Sequence, residues 1–199
     1  KMQYADYWPM LDSMLTDDGG WRLAGVLAPR NEHPIAIPKA IYLMNAEFFG
    51  GSNHTLGYTV ILIVIIQVVL VGWLALRTEA FDRWSAAAIT VVASFVLLAP
   101  QGAWNFVKTM SGTAWLTANL FVVAAFVAQR ADRRFLTPVL ALAATASYGT
   151  GLAVWPALAL VALLTHGRAV RREWPTLVAG AVALTTYLIW YRSRPTLPF

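Results

Sequence analysis

Six of the ten carboxylates in this chain, Asp6, Asp12, Asp17, Asp18, Glu32 and Glu47, fall within residues 1–55. A carboxylate held against a reacting hydroxyl acts as a general base, so this segment is where proton-transfer chemistry would sit. Asp6 stands in Tyr4-Ala5-Asp6-Tyr7-Trp8-Pro9, among aromatic residues that favour the headgroup layer of a membrane. It is a candidate catalytic base or, read structurally, the N-cap of a helix over Pro9–Leu15. Asp12 fits a solvated helix face, and Asp17 and Asp18 beside Gly19-Gly20 fit a turn.

The run Arg30-Asn31-Glu32-His33-Pro34 gathers four hydrogen-bonding side chains before an apolar stretch. Asn31 or His33 would serve as a helix cap, and Glu32 would favour the positive helix end. One cap needs only one such residue, so the run also suggests contact with a sugar or phosphate, with Glu32 the second candidate base. Arg30 and Lys39 would hold phosphate oxygens. Trp104 and Lys108, in the segment 100–108, extend the substrate-contact set; Lys108 either neutralises a leaving phosphate or anchors the chain at an interface. His33 with Glu32 and Glu47 is the set a divalent cation would use, but no spacing matches a metal motif, and no metal or other cofactor is expected. Cysteine is absent, which removes disulfides and thiolate metal sites.

The elements that would position these groups are apolar. The 199 residues are 58% hydrophobic and 13% charged, far from the roughly 25% charged share of a soluble domain. The net charge of +5 is not a nucleic-acid signal, because the arginines lie in short stretches between apolar runs and do not cluster with reading groups. The expected fold is all-α: a polytopic transmembrane helix bundle over 56–199, preceded by an outward loop, 1–55, that carries short interfacial helices. Crossings are predicted at 57–76, 84–99, 113–128, 135–147, 152–165 and 175–191. The break between the fourth and fifth is Ser147-Tyr148-Gly149-Thr150-Gly151, followed by Pro156. Several of these runs are shorter than a full span, which is tolerated where helix ends abut protein or a water-filled cavity.

Arginines alternate between connections: Arg77 and Arg83, then Arg130, Arg133 and Arg134, then Arg168, Arg171 and Arg172. The positive-inside rule makes these connections cytoplasmic and residues 1–55 extracytoplasmic. An upstream helix and a C-terminal region are expected to complete the protein. Within 1–55, Ile37, Ile41, Met44 and Phe48 share one helical face opposite Lys39, which predicts a helix lying on the membrane surface, stopped by Gly50-Gly51. No carboxylate falls inside a predicted span, so proton- or sodium-coupled transport through mid-bilayer acids is not indicated. Gln67 and Asn119 are read as interhelical hydrogen-bonding residues.

Taken in order, several short pieces resemble the GT-C superfamily of membrane glycosyltransferases and bacterial multi-pass relatives placed near them. These pieces are Asp6 before Tyr7-Trp8, Asn31-Glu32-His33 through Pro38-Lys39, and Phe49-Gly50-Gly51-Ser52-Asn53. They continue with Pro100-Gln101 and Trp104-Asn105, then Tyr148-Gly149-Thr150-Gly151-Leu152 with Trp155-Pro156. The resemblance implies an inverting transfer of a sugar from a polyprenyl-phosphate donor to an extracytoplasmic glycan or lipid acceptor, with Asp6 as base. It implies a bacterial plasma membrane, with membrane lipids as surroundings. Where such enzymes carry an Asp-Glu pair or a further aspartate, this chain has Asp6-Tyr7. Two other functions use similar features: a flippase or transporter of a lipid-linked sugar, and a non-catalytic membrane subunit.

Overall fold

The structure is a computed structural model, and it describes residues 7–30, 33–99, 108–165 and 171–192. The described residues form helices and turns, with two isolated antiparallel bridges, Leu15 to Trp21 and Arg30 to His33, in place of strands. Helix α1 is Tyr7–Met14, α2 is Leu23–Leu27 and α3 is Ala36–Phe49. The apolar helices follow: α4 (Asn53–Leu76), α5 (Arg83–Leu97), α6 (Thr109–Arg130), α7 (Leu136–Thr145), α8 (Val154–Leu164) and α9 (Trp174–Arg192). A 3-10 turn, Gly149–Ala153, leads into α8.

An isolated helix as short as α1 is unstable in water, so its buried face must hold it. Tyr7, Met10, Leu11 and Met14 sit on that face and join Ile35, Tyr42, Leu43 and Leu56 in one core under the N-terminal segment. Helix α3 ends where Gly50 (φ +57°) and Gly51 (φ +66°) adopt the left-handed conformation that glycine takes without steric cost.

Helices α4 and α6 run side by side in the same direction. Thr109 Oγ1 donates to Asn53 Oδ1 where both begin, and the Arg130 guanidinium donates to the Arg77 carbonyl at 2.7 Å where both end. Val60, Ile63 and Val64 of α4 pack with Leu116 of α6 between these ties. Helix α5 returns along α4, where Thr90 lies so near Gly72 that a Cβ there would come within 2.9 Å of its Oγ1. A second core joins α6, α7 and α8 through Ala125, Ala141, Ala144, Val154, Trp155 and Leu158.

Helices α4 and α6 are long and apolar enough to cross a membrane by length and composition. Helices α5, α7 and α8 are apolar but shorter than the roughly 20 residues of a full crossing.

The prediction for α3 needs correcting in one respect. Lys39 does not lie on a solvated face; it is 3% exposed, on the buried face with Pro38, Tyr42, Leu43 and Asn45. Met44 and Phe48, on the face read as apolar, point outward. The ammonium is accommodated inside because it donates to the carbonyls of Gly25 at 2.7 Å and Ala28 at 2.6 Å, which α2 leaves open at its C-terminal end.

Candidate functional site

Between α2 and α3 the described residues 28–30 and 33–35 form a strap, and its two pieces are joined by the backbone. Arg30 and His33 exchange two hydrogen bonds, each N to O at 3.0 Å. Beyond the strap, the Ile37 amide donates to the carbonyl of Ala146, just past α7, at 3.2 Å. The Lys39 contacts described above hold the other flank against α2.

One side of the strap is polar and aromatic. His33 stacks on Tyr148 with centroids 4.1 Å apart and planes 26° apart, and Tyr148 lies 4.8 Å from Trp115 at 34°. Together with Arg30, Tyr42 and Ser111, these rings line a cavity of about 170 Å³. Tyr42 contributes fixed polarity, because its hydroxyl donates to the Met110 carbonyl. His33 Nδ1 is buried and has no hydrogen-bond partner among the described residues. The ring can lie there because residue 149 is glycine: a Cβ would come within 2.8 Å of Nδ1.

The other side of the strap is apolar. Pro29 and Pro34 border a groove of about 680 Å³ whose far walls are α7 and α9, with Leu142, Ala146, Val182 and Tyr187 among its lining residues. The described residues of the strap thus lie between a small cavity lined by Arg30 and His33 and a larger apolar groove bordered by Pro29 and Pro34. An amphiphile with an anionic or hydroxylated head and an apolar tail matches both halves.

Electrostatics distinguish the cations. Burial, and after it the positive charge of Arg30, pulls the Lys39 ammonium below the ordinary lysine range. Lys39 therefore acts as a clamp between α3 and α2. Tyr7 follows Asp6 in sequence and is fully buried; its hydroxyl donates to the Tyr42 carbonyl at 3.4 Å and accepts from Asn45 Nδ2 at 3.3 Å. Burial raises the Tyr7 phenol above its usual range, with the Asn45 contact opposing.

Of the sequence-predicted site residues, Arg30 and His33 come together at the cavity, while Lys39 points to α2. Lys108 is the residue immediately before α6, half-buried, three residues from cavity-lining Ser111. Asp6, Asn31, Glu32 and Trp104 lie outside the described residues. His33 does not cap α3, whose first residue is Ala36 and whose N-cap is Ile35. Asp12 is exposed on α1, and Asp18 accepts from Thr16 Oγ1 and the Gly20 amide inside its turn. No group of three or more His, Asp and Glu residues gathers in metal-binding proximity among the described residues.

Sequence reasoning missed the ring partners Trp115 and Tyr148 and the cavity residues Tyr42 and Ser111. The Tyr148-Gly149 pair was at least visible as a break between apolar runs, whereas nothing local marks Trp115. Comparison with family models, curated proteins and solved structures gives no match for this chain.

Proposed function

We propose that this chain belongs to a membrane glycosyltransferase of GT-C type, which moves a sugar from a polyprenyl-phosphate donor to an extracytoplasmic glycan or lipid acceptor. The helices form a six-crossing bundle with the arginine-rich connections in the cytoplasm and residues 1–55 outside. The observation that carries the proposal is the strap, with Arg30, His33 and two aromatic rings on one side and the apolar groove on the other. Helix α7, at ten residues, is about 15 Å long, half the depth of a bilayer core. Its C-terminal end abuts the groove at Thr145 and Ala146, and the turn that follows reaches the cavity at Tyr148, which is how a short membrane helix keeps its last carbonyls out of lipid.

In the transfer, Arg30 faces the donor phosphate as a charge-assisted donor. Asp6 or Glu32 takes the proton of the acceptor hydroxyl, and that oxygen attacks the anomeric carbon. The bond from that carbon to the phosphate oxygen breaks, and the lipid phosphate leaves with the electron pair and one added negative charge. Attack opposite the leaving group inverts the configuration.

Loss of a general base lowers the rate by about 10²- to 10⁴-fold. Asp6→Asn and Glu32→Gln, made separately and assayed for sugar release from polyprenyl-phosphate hexoses, are expected to give one loss of that order with the fold retained. Unchanged turnover in both variants rules out the mechanism. A flippase would instead move the donor across vesicles without forming a new glycosidic bond.

A further inference from the structure

On α6, Ser111, Trp115 and Asn119 recur every fourth residue and are all exposed, whereas Gly112 to Ala114 and Leu116 to Ala118 are buried. The stripe is out of place for a lipid-facing surface. Asn119 lies ten residues into a helix long enough to span a bilayer, about 15 Å from its start and so near the middle of the apolar layer. An amide facing hydrocarbon there has no hydrogen-bonding partner to replace water. The stripe is also continuous with the cavity, since Ser111 and Trp115 line it.

We infer that this face of α6 is the wall of a hydrated cleft that seats a single sugar ring of the donor, flat on Trp115 with its hydroxyls reaching Ser111 above and Asn119 below. The assignment rests on the sugar-transfer function proposed above and names the group that function would move. Tyr148 covers part of the indole, and 44% of Trp115 remains exposed as a flat apolar platform for the C–H face of a pyranose. One helical turn, about 5.4 Å, separates the polar residues from the indole on either side, which is the scale of one ring.

The chain has no cysteine, so single substitutions report cleanly. Ser111→Cys and Asn119→Cys, in the full chain in bilayers, are treated with a charged maleimide beside Ile65→Cys, an exposed position on α4 that serves as the lipid-facing control. Both stripe positions are expected to react while Ile65→Cys does not. Undecaprenyl phosphate bearing one glucose, mannose or galactose, at about ten times its Kd, is expected to slow labelling of Asn119→Cys about tenfold in at least one case. Bare undecaprenyl phosphate is expected to leave labelling unchanged, and Trp115→Leu to raise KM for the protecting donor about three- to tenfold.

An Asn119→Cys as inert as the control would mean lipid or another helix covers the stripe and would overturn the inference. So would protection by bare lipid phosphate equal to that by the sugar-bearing donors, or no protection by any of them. Sugar transfer by the unaltered chain without protection sinks the cleft and leaves the transfer function standing. Protection without transfer does the reverse.

Discussion

At the scale of single residues, the cavity depends on a fit between an imidazole and a missing side chain. Gly149→Ala places a methyl where His33 Nδ1 now lies and forces the ring off Tyr148. Overpacking of this kind costs about 1–3 kcal/mol. Its expected signature is a raised KM for the donor, with Gly149→Ala plus His33→Ala no worse than His33→Ala alone in a double-mutant cycle. Lys39 gives a second test. Lys39→Met leaves the Gly25 and Ala28 carbonyls without their donor and is expected to lower stability by about 1–3 kcal/mol, read from detergent unfolding. The pH dependence follows from the lowered ammonium pKa. Between that value and the ordinary lysine range the unfolded chain binds more protons, so native stability rises with pH there; Lys39→Met should lose that rise. The buried position of Lys39 was not legible in the sequence. Helix α3 carries apolar residues on two faces, and periodicity does not say which one packs inward.

Helix boundaries were far more legible than helix contacts. Arg77, Arg83 and Arg130 and the Gly50-Gly51 and Ser147–Gly151 breaks fall where helices begin or end, because backbone termination is a local matter of caps, charge and glycine freedom. The strap's stack joins His33, Trp115 and Tyr148 from three distant segments, and no local pattern encodes such a meeting. Asp82 shows the local case at α5, where its carboxylate accepts the Ser85 amide at 2.7 Å and is held below the usual carboxylate range mainly by that bond. The cap's contribution is present above the unfolded carboxylate pKa and is lost as pH falls through the lowered one. Protection of the first-turn amides of α5, taken relative to the intrinsic exchange rate at each pH, should therefore fall in acid, and already at neutral pH in Asp82→Ala. Between elements, Gly180 of α9 lies on Trp155 of α8, whose indole N–H donates to Thr145 Oγ1 of α7 at 2.9 Å. Gly180→Val adds a Cβ 2.8 Å from the indole, and is expected to lower the thermal midpoint through about 1–3 kcal/mol of overpacking.

For the whole molecule, the proposed topology takes its orientation from the charge pattern, and the proposed site inherits it. Ser13 on α1 and Glu79 in the connection from α4 to α5 are exposed and belong to opposite sides in the proposed topology. Ser13→Cys should label with an impermeant reagent on intact cells, and Glu79→Cys only after permeabilisation; the reverse order would put the cavity in the wrong compartment. Helix α9 adds a consequence of its own. It forms one wall of the groove and packs on α7 and α8, yet along its length only Thr176 and Gly180 are buried, whereas α4 and α6 are tied to each other at both ends. In the proposed topology that wall faces the surrounding lipid, so displacing α9 is the expected way to widen the groove. A ligand entering there arrives sideways from the bilayer, so its binding should follow its mole fraction among the lipids, and diluting the membrane with inert phospholipid should weaken saturation even when the bulk amount of ligand is constant.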